Sequence, residues 1–490
     1  MRTMTARTRT GVVDRVRAAV DRRAVRRAGL LLVLFVAGWL AVRAFGRGYH
    51  FFDMKIYLGA LRHWVDGEDL YRYAAPVSGL GFTYPPFAAI VMLPIAFLTA
   101  TVAGWINLLA SVAALWLVLS ALLAPIAGRY GWSRRWAVAF ALPLALCTEP
   151  VRESLGYGQV NLLLTGLVVA DLVALRRRAR AAARGGAAWR DSPGFRFLWR
   201  GGFGAWGDFW RGGGWAGVGI GLAAAIKLTP ALFIVYLLVT RQWRAARTAI
   251  ATAAAVTSLA FLLAPGTSLA YFGDVLWNTE RVGNADTTPN QSLAGLLARL
   301  FDSTEAPTLI WLTFSLVLLT VGLTRAKAAH GEGDELAAFT LVGLTANLVS
   351  PVSWTHHLVF LLPAVLILGD AALRRRDAAR LPLRRLGAAG QAGLGGMRAP
   401  IWFPRFTGAR HAAAAVAVYA LIVVSPLWPY QHTLPQTSHY ADGAWGVLME
   451  NSLALLLIVL VTALPWRPGA EPAFRPKPWI APRQKRRPRR

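Results

Sequence analysis

Residues 102–124 run VAGWINLLASVAALWLVLSALLA without a single charge. Crossing a hydrocarbon core of roughly 30 Å takes about 20 apolar residues in a helix, so this stretch reads as a transmembrane span whose solvent is lipid. Similar stretches lie outward of it in both directions, near 28–45, 83–100, 136–147, 158–175, 215–240, 245–264, 307–324, 336–349, 357–372, 411–427 and 447–464. Backbone polar groups inside a bilayer must be satisfied within the segment, and helices are the form such runs take. The expected fold is therefore an all-α polytopic membrane protein, a bundle of roughly 12 transmembrane or re-entrant helices. Composition agrees, with 56% of the 490 residues hydrophobic and a mean hydropathy of +0.44.

Charge indicates how the runs are threaded. The 53 Lys and Arg against 24 Asp and Glu sit mainly in short blocks between apolar runs, such as Arg176-Arg177-Arg178 and Arg374-Arg375-Arg376. No aromatic-basic RNA motif accompanies them, so the pattern reads as a positive-inside bias toward membrane lipids and not as binding of nucleic acid. It assigns segment 1–27, loops 176–214 and 373–410 and tail 465–490 to the cytoplasmic side of a bacterial plasma membrane, around a membrane domain over 28–464. The first apolar stretch lacks a small-residue cleavage site and reads as a retained helix. Segment 46–82 is then external.

Strict alternation of spans would put the basic loop 176–214 outside, so something must turn back. Lys227-Leu228-Thr229-Pro230 interrupts the run 215–240, and Pro230 disfavours helix just before it. Two short helices, 215–226 rising and 230–240 returning, would bring Lys227 near the external face. A second irregularity falls in 83–124, where Pro85, Pro86 and Pro94 allow a segment that dips into the membrane without crossing. The Gly-, Arg- and Trp-rich segment 181–214 and the basic tail suit a headgroup surface. The single Cys147 excludes an internal disulfide and a multi-cysteine metal site, and reads as packing.

Acids are scarce, so Asp53 in FFDMKIYLGALRHWVDGEDLY stands out. Beside Phe51 and Phe52 at the bilayer surface, partial burial would raise its pKa toward the range of a general base. The competing reading is a solvated loop acid or the N-cap of a helix over 54–65. His356 and His357, in SPVSWTHH, are external by the same count. Adjacent residues project about 100° apart on a helix and no carboxylate follows at i+3 or i+4, so the pair reads as binding sugar or phosphate, or assisting a carboxylate, and not as a zinc site. Lys227, a cation in an apolar run, either faces an anion in a cavity or snorkels to the interface. Gln159, Asn161 and Asn290 are amides that suit sugar hydroxyls or frayed helix ends. Arg152 either pairs with Glu153 or meets an anionic headgroup. No Walker loop, dinucleotide fingerprint, HExxH or serine elbow occurs.

Four stretches, FFDMKIYLGALRHWVDGEDLY leading to FTYPP, then GYGQVN, GLAAAIKLTP and SPVSWTHH, spread over 53–357. In order and placement they resemble the polyprenol-phosphate-mannose-dependent mannosyltransferases of glycosyltransferase family 87, members of the GT-C structural class. The resemblance implies inverting transfer of mannose from a polyprenyl-phosphate-sugar donor to a glycolipid acceptor such as a phosphatidylinositol mannoside, with no cofactor and no metal. It implies Asp53 as base, Lys227 stabilising the leaving phosphate, His356 or His357 in support, and Tyr84, Gln159, Asn161 and Asn290 lining the cleft. Segment 384–410 departs from the pattern and reads as an insertion. The alternatives are a polytopic transporter or flippase, in which the same charges would gate, and a transferase of arabinofuranose or glucose. A transporter more often shows two matching halves, and no internal repeat is visible.

Overall fold

The computed structural model describes residues 4–183, 207, 209–278, 281, 283–390, 408–428 and 443–471. Most of segments 181–214 and 384–410, and the tail after residue 471, lie outside the described residues. The helices in chain order are α1 (Met4–Phe45), α2 (Phe52–Val65), α3 (Pro86–Met92), α4 (Ala100–Tyr130), α5 (Arg134–Leu146), α6 (Glu149–Tyr157), α7 (Asn161–Ala183), α8 (Val218–Ile226) and α9 (Leu232–Val239). They continue as α10 (Trp243–Leu263), α11 (Pro265–Ala270), α12 (Leu293–Leu300), α13 (Thr308–Gly331), α14 (Glu335–Val349), α15 (Leu361–Gly390), α16 (Ala409–Val424), α17 (Gly443–Glu450) and α18 (Ser452–Ala463). Tight 3₁₀ turns occupy Leu93–Phe97, Thr229–Ala231 and Thr355–Phe360. No strand occurs among the described residues.

Among the described residues, five helical stretches are long and apolar enough to cross a membrane, or up to seven if each of two bent pairs is one span. This is a multi-pass membrane protein. The other apolar runs form shorter helices, including α14, which is buried from Glu335 to Leu348. A helix enclosed by neighbours needs no full span, because they and not lipid cover its backbone. Conversely α1 turns Leu32, Val33 and Trp39 outward, each more than 60% exposed, as a lipid-facing helix does.

The two expected irregularities take definite shapes. Lys227 is extended (φ −149°, ψ 131°) and ends α8, and Pro230 starts the turn into α9. Asn161 at the start of α7 bonds Lys227, while Asp171, ten residues on, accepts from the Ile220 amide, so α7 and α8 run antiparallel. Then α9 descends along α14, from Phe233 on Phe339 to Tyr236 on Glu335. The hairpin is formed, with Lys227 at its turn. The stretch through α3 begins where Tyr84 meets Tyr57 of α2 and ends where the Leu98 carbonyl meets Arg62 of the same helix, so it returns without crossing.

Among the described residues, those bordering the basic segments gather at one end of the bundle. There Tyr130 and Arg374 both bond Asp370, and Arg467 bonds Asp370 and Asp334. Arg176 forms a two-pronged pair with Glu471. The first residues of the basic tail therefore pack back into the bundle. Asp53, Lys227 and His357 lie at the opposite end.

Candidate active site

At that opposite end a cavity of about 570 Å³ is lined by Asp53, Tyr84, Gln159, Lys227, Trp354 and His357, with an apolar flank from Leu228, Leu232, Val235 and Leu319. Each polar group arrives on a different element, and each element is stopped by a local signal. Asp53 sits in the first turn of α2, entered through Phe51 in the left-handed region (φ 52°), where its carboxylate makes no cap bond. The helix N-cap reading of Asp53 is thus set aside. Gln159 follows Gly158, which ends α6 at φ 77° and whose missing Cβ would lie 2.7 Å from Met54 Cβ. Only glycine permits this close approach of α6 to α2.

Gln159 Nε2 donates to Asp53 Oδ2 at 2.6 Å, and Gln159 Oε1 accepts from Tyr84 at 2.9 Å. Since the Tyr84 proton points at Gln159, Tyr57, 2.9 Å from the Tyr84 oxygen, must be the donor of that pair. The chain Tyr57 to Tyr84 to Gln159 ends on a carboxylate, an acceptor only, so every donor in it is aimed at Asp53. Burial nevertheless pushes the Asp53 carboxyl up to about 6; the Gln159 hydrogen bond and the Lys227 ammonium hold it down, and the charge of Glu153 adds to the rise.

Lys227 Nζ lies 3.1 Å from Asn161 Oδ1, 2.9 Å from His357 Nε2 and 5.3 Å from the centre of the Tyr84 ring. His357 Nδ1 accepts from the Trp354 amide at 3.2 Å. Lys227 and His357 stand in hydrogen-bond contact on the cavity wall, where the Lys227 ammonium can meet an anionic oxygen.

The remaining candidates are placed differently. His356 lies behind the cavity lining, its ring against those of Tyr157 and His357. Asn161 supports Lys227 and donates to the His356 carbonyl, a role in holding the site. Asn290 is fully buried and its amide is spent on backbone, donating to Ala285 and Pro351 and accepting from Ser353. It pins the loop that carries Trp354 and does not line the cavity. Arg152 neither pairs with Glu153 through a hydrogen bond nor faces a headgroup: it is buried, and Nη1 bonds the carbonyls of Cys147 and Val423. Glu153 instead pairs with Arg47.

Sequence reasoning passed over Tyr57 and Arg281. Tyr57 follows Asp53 at i+4 on α2, so helical spacing puts the two on one face. Arg281, which lines the cavity and donates to the Tyr71 carbonyl, stands in a polar loop where nothing in the sequence separates it from its neighbours.

Comparison with known proteins gives one consistent result. The profile of glycosyltransferase family 87 matches residues 82–351, more than half of the chain. The polyprenol-phosphate-mannose-dependent alpha-(1-2)-phosphatidylinositol mannoside mannosyltransferase of Mycobacterium tuberculosis is 33% identical over 369 residues, 71% of this chain and 77% of that protein. The corresponding pentamannoside mannosyltransferase of Mycolicibacterium smegmatis is 30% identical over 372 residues, 73% of this chain and 78% of its own. Among solved structures, ArnT from Cupriavidus metallidurans bound to undecaprenyl phosphate aligns over 90% of this chain and 77% of its own at 17% identity and a TM-score of 0.35. On the family profile and on relatives of this identity and coverage, the chain belongs to glycosyltransferase family 87.

Proposed function

We propose that this protein is an inverting mannosyltransferase, moving mannose from polyprenyl-phosphate-mannose to a hydroxyl of a phosphatidylinositol-mannoside type glycolipid in α-1,2 linkage, on the external face of the membrane. The observation that carries this reading is the meeting of the Asp53 carboxylate with the Lys227 ammonium and the His357 ring in one cavity. Family membership and the names of the relatives support the donor and the acceptor class.

In this reading the acceptor hydroxyl attacks the anomeric carbon while Asp53 takes its proton. The bond from that carbon to the phosphate oxygen breaks, and its electrons leave on polyprenyl phosphate. No general acid is needed, because the leaving phosphate carries the charge itself. Lys227, with His357 beside it, stabilises that charge as it grows, and the apolar flank accepts the first isoprene units. A transporter would need none of these alignments. The test is to incubate membranes holding wild type or Asp53→Asn with labelled polyprenyl-phosphate-mannose and extracted glycolipids. Wild type should label glycolipid, and the variant should lose on the order of 10²–10⁴ in rate, the usual worth of a general base. Full activity in the variant removes Asp53 as base. Absence of transfer by wild type, together with substrate uptake, turns the reading to a transporter.

A further inference from the structure

Glu153 is fully buried, lies outside the cavity lining and belongs to no part of the reaction described above. Its two oxygens are divided between elements. Oε1 pairs with Arg47, whose guanidinium stacks 3.2 Å from the centre of the Trp428 ring, and Oε2 accepts from the Thr355 hydroxyl, with His356 Nδ1 at 3.8 Å. Next to it on α6, Ser154 Oγ donates to the His356 carbonyl at 3.0 Å. One face of α6 thus holds both Thr355 and His356, and the following residue is His357.

We infer that Glu153 is a positioning residue: by clamping Thr355 at the start of the 3₁₀ turn it sets where His357 stands against Lys227, without touching either substrate. This rests on the mannosyltransferase reading for the meaning of the His357–Lys227 pair. The geometry is economical, because Thr355, His356 and His357 are consecutive at the start of one 3₁₀ segment, so a displacement of the first residue reaches the third over two peptide bonds. A buried carboxylate also needs a cation close by, and Arg47 meets that need from outside the turn. The Glu153–Thr355 bond is thereby free to act as a fixed point. Catalytic alignment is sensitive on this scale, since a misplacement of about 1 Å can cost about 10²-fold in rate.

The test is a double-mutant cycle between Thr355→Val, which keeps the side chain's shape and deletes its hydroxyl, and His357→Ala. In the wild-type background Thr355→Val should lower kcat about tenfold, the scale of one buried hydrogen bond, with KM for the acceptor little changed. In the His357→Ala background the same substitution should cost nothing more, and Thr355→Ser should restore the rate. Equal losses in both backgrounds, or an unaltered kcat for Thr355→Val, overturn the inference. The cycle is also read in affinity for polyprenyl phosphate, with the same expectation that Thr355→Val matters only when His357 is present. A wild type that binds this lipid but transfers no mannose condemns the functional reading alone, whereas normal transfer with additive losses condemns the clamp alone. Should Thr355→Val fail to fold, Thr355→Ala, which also deletes the hydroxyl, enters the same cycle and must show the same dependence on His357.

Discussion

Gln159 bonds Asp53 and Tyr84 through opposite ends of one amide, Nε2 to the carboxylate at 2.6 Å and Oε1 from the phenol at 2.9 Å. This fixes the carboxylate's orientation and favours its ionised form against the burial that raises it to about 6. Replacing Gln159 by Leu removes that favourable bond, so the Asp53 pKa rises further. With Asp53 as the proposed base, which works only when ionised, activity should increase with pH through the pKa of Asp53 and level off above it. The acid limb of kcat/KM, centred near 6 in wild type, should therefore move to higher pH in Gln159→Leu, with a several-fold loss at pH 7. A limb that stays in place would separate Gln159 from the ionisation of Asp53.

Lys227 acts on the same equilibrium from the other side of the cavity. Its positive charge lowers the Asp53 pKa, so Lys227→Met should also shift the acid limb upward. On the proposed mechanism it should in addition weaken stabilisation of the leaving phosphate, reducing the plateau rate by about 10²-fold or more, as loss of a donor to developing charge does. Lys227→Arg should recover the limb more fully than the plateau, because a guanidinium keeps the charge but not the shape. The pH profiles of the three proteins measure both effects.

Gly158 is where sequence and geometry meet most tightly. An alanine there would carry a positive φ, at a cost of about 1 kcal/mol, and would press on Met54, the neighbour of Asp53. Gly158→Ala should lower kcat by separating Gln159 from Asp53 while leaving the far end of the bundle intact. Its acid limb should shift in the same direction as that of Gln159→Leu. Unchanged kinetics would mean that α6 and α2 can slide apart without consequence.

Arg467 supplies a contrast. It joins Asp334 and Asp370 in a buried cluster at the end of the bundle away from the cavity. Arg467→Met would leave buried Asp334 without its cation and Asp370 with Arg374 alone, a loss of about 3–5 kcal/mol for a broken buried pair. The detergent-solubilised protein should melt several degrees lower, while the folded fraction keeps the wild-type pH profile. A changed profile would show coupling between the two ends.

Much of the site was legible in the sequence for one reason. A charge or paired imidazole amid apolar residues costs free energy unless something meets it, so Asp53, Lys227 and His357 announced themselves by their surroundings. Pro230 likewise marked the hairpin, since a residue without an amide proton cannot continue a helix unbroken. Asn290 and Arg152 misled because the same argument does not say what satisfies a polar group. Backbone carbonyls, as well as a substrate, meet that demand, and here they do. The dozen apolar runs were visible as runs, but their lengths could not tell lipid-facing α1 from enclosed α14.

By itself the sequence determined the solvent, because uncharged runs of this length are stable only in lipid, and the grouping of the basic segments, because cations concentrate on one side of a membrane. It also determined which residues needed partners. Only the tertiary structure decided who those partners are. Residues 53, 159, 227 and 357 meet because α2, α6, the α8–α9 turn and the 3₁₀ turn after α14 converge at one end of the bundle. That convergence is set by side-chain packing between helices distant in sequence, and hydropathy, which reads each helix separately, carries no record of it.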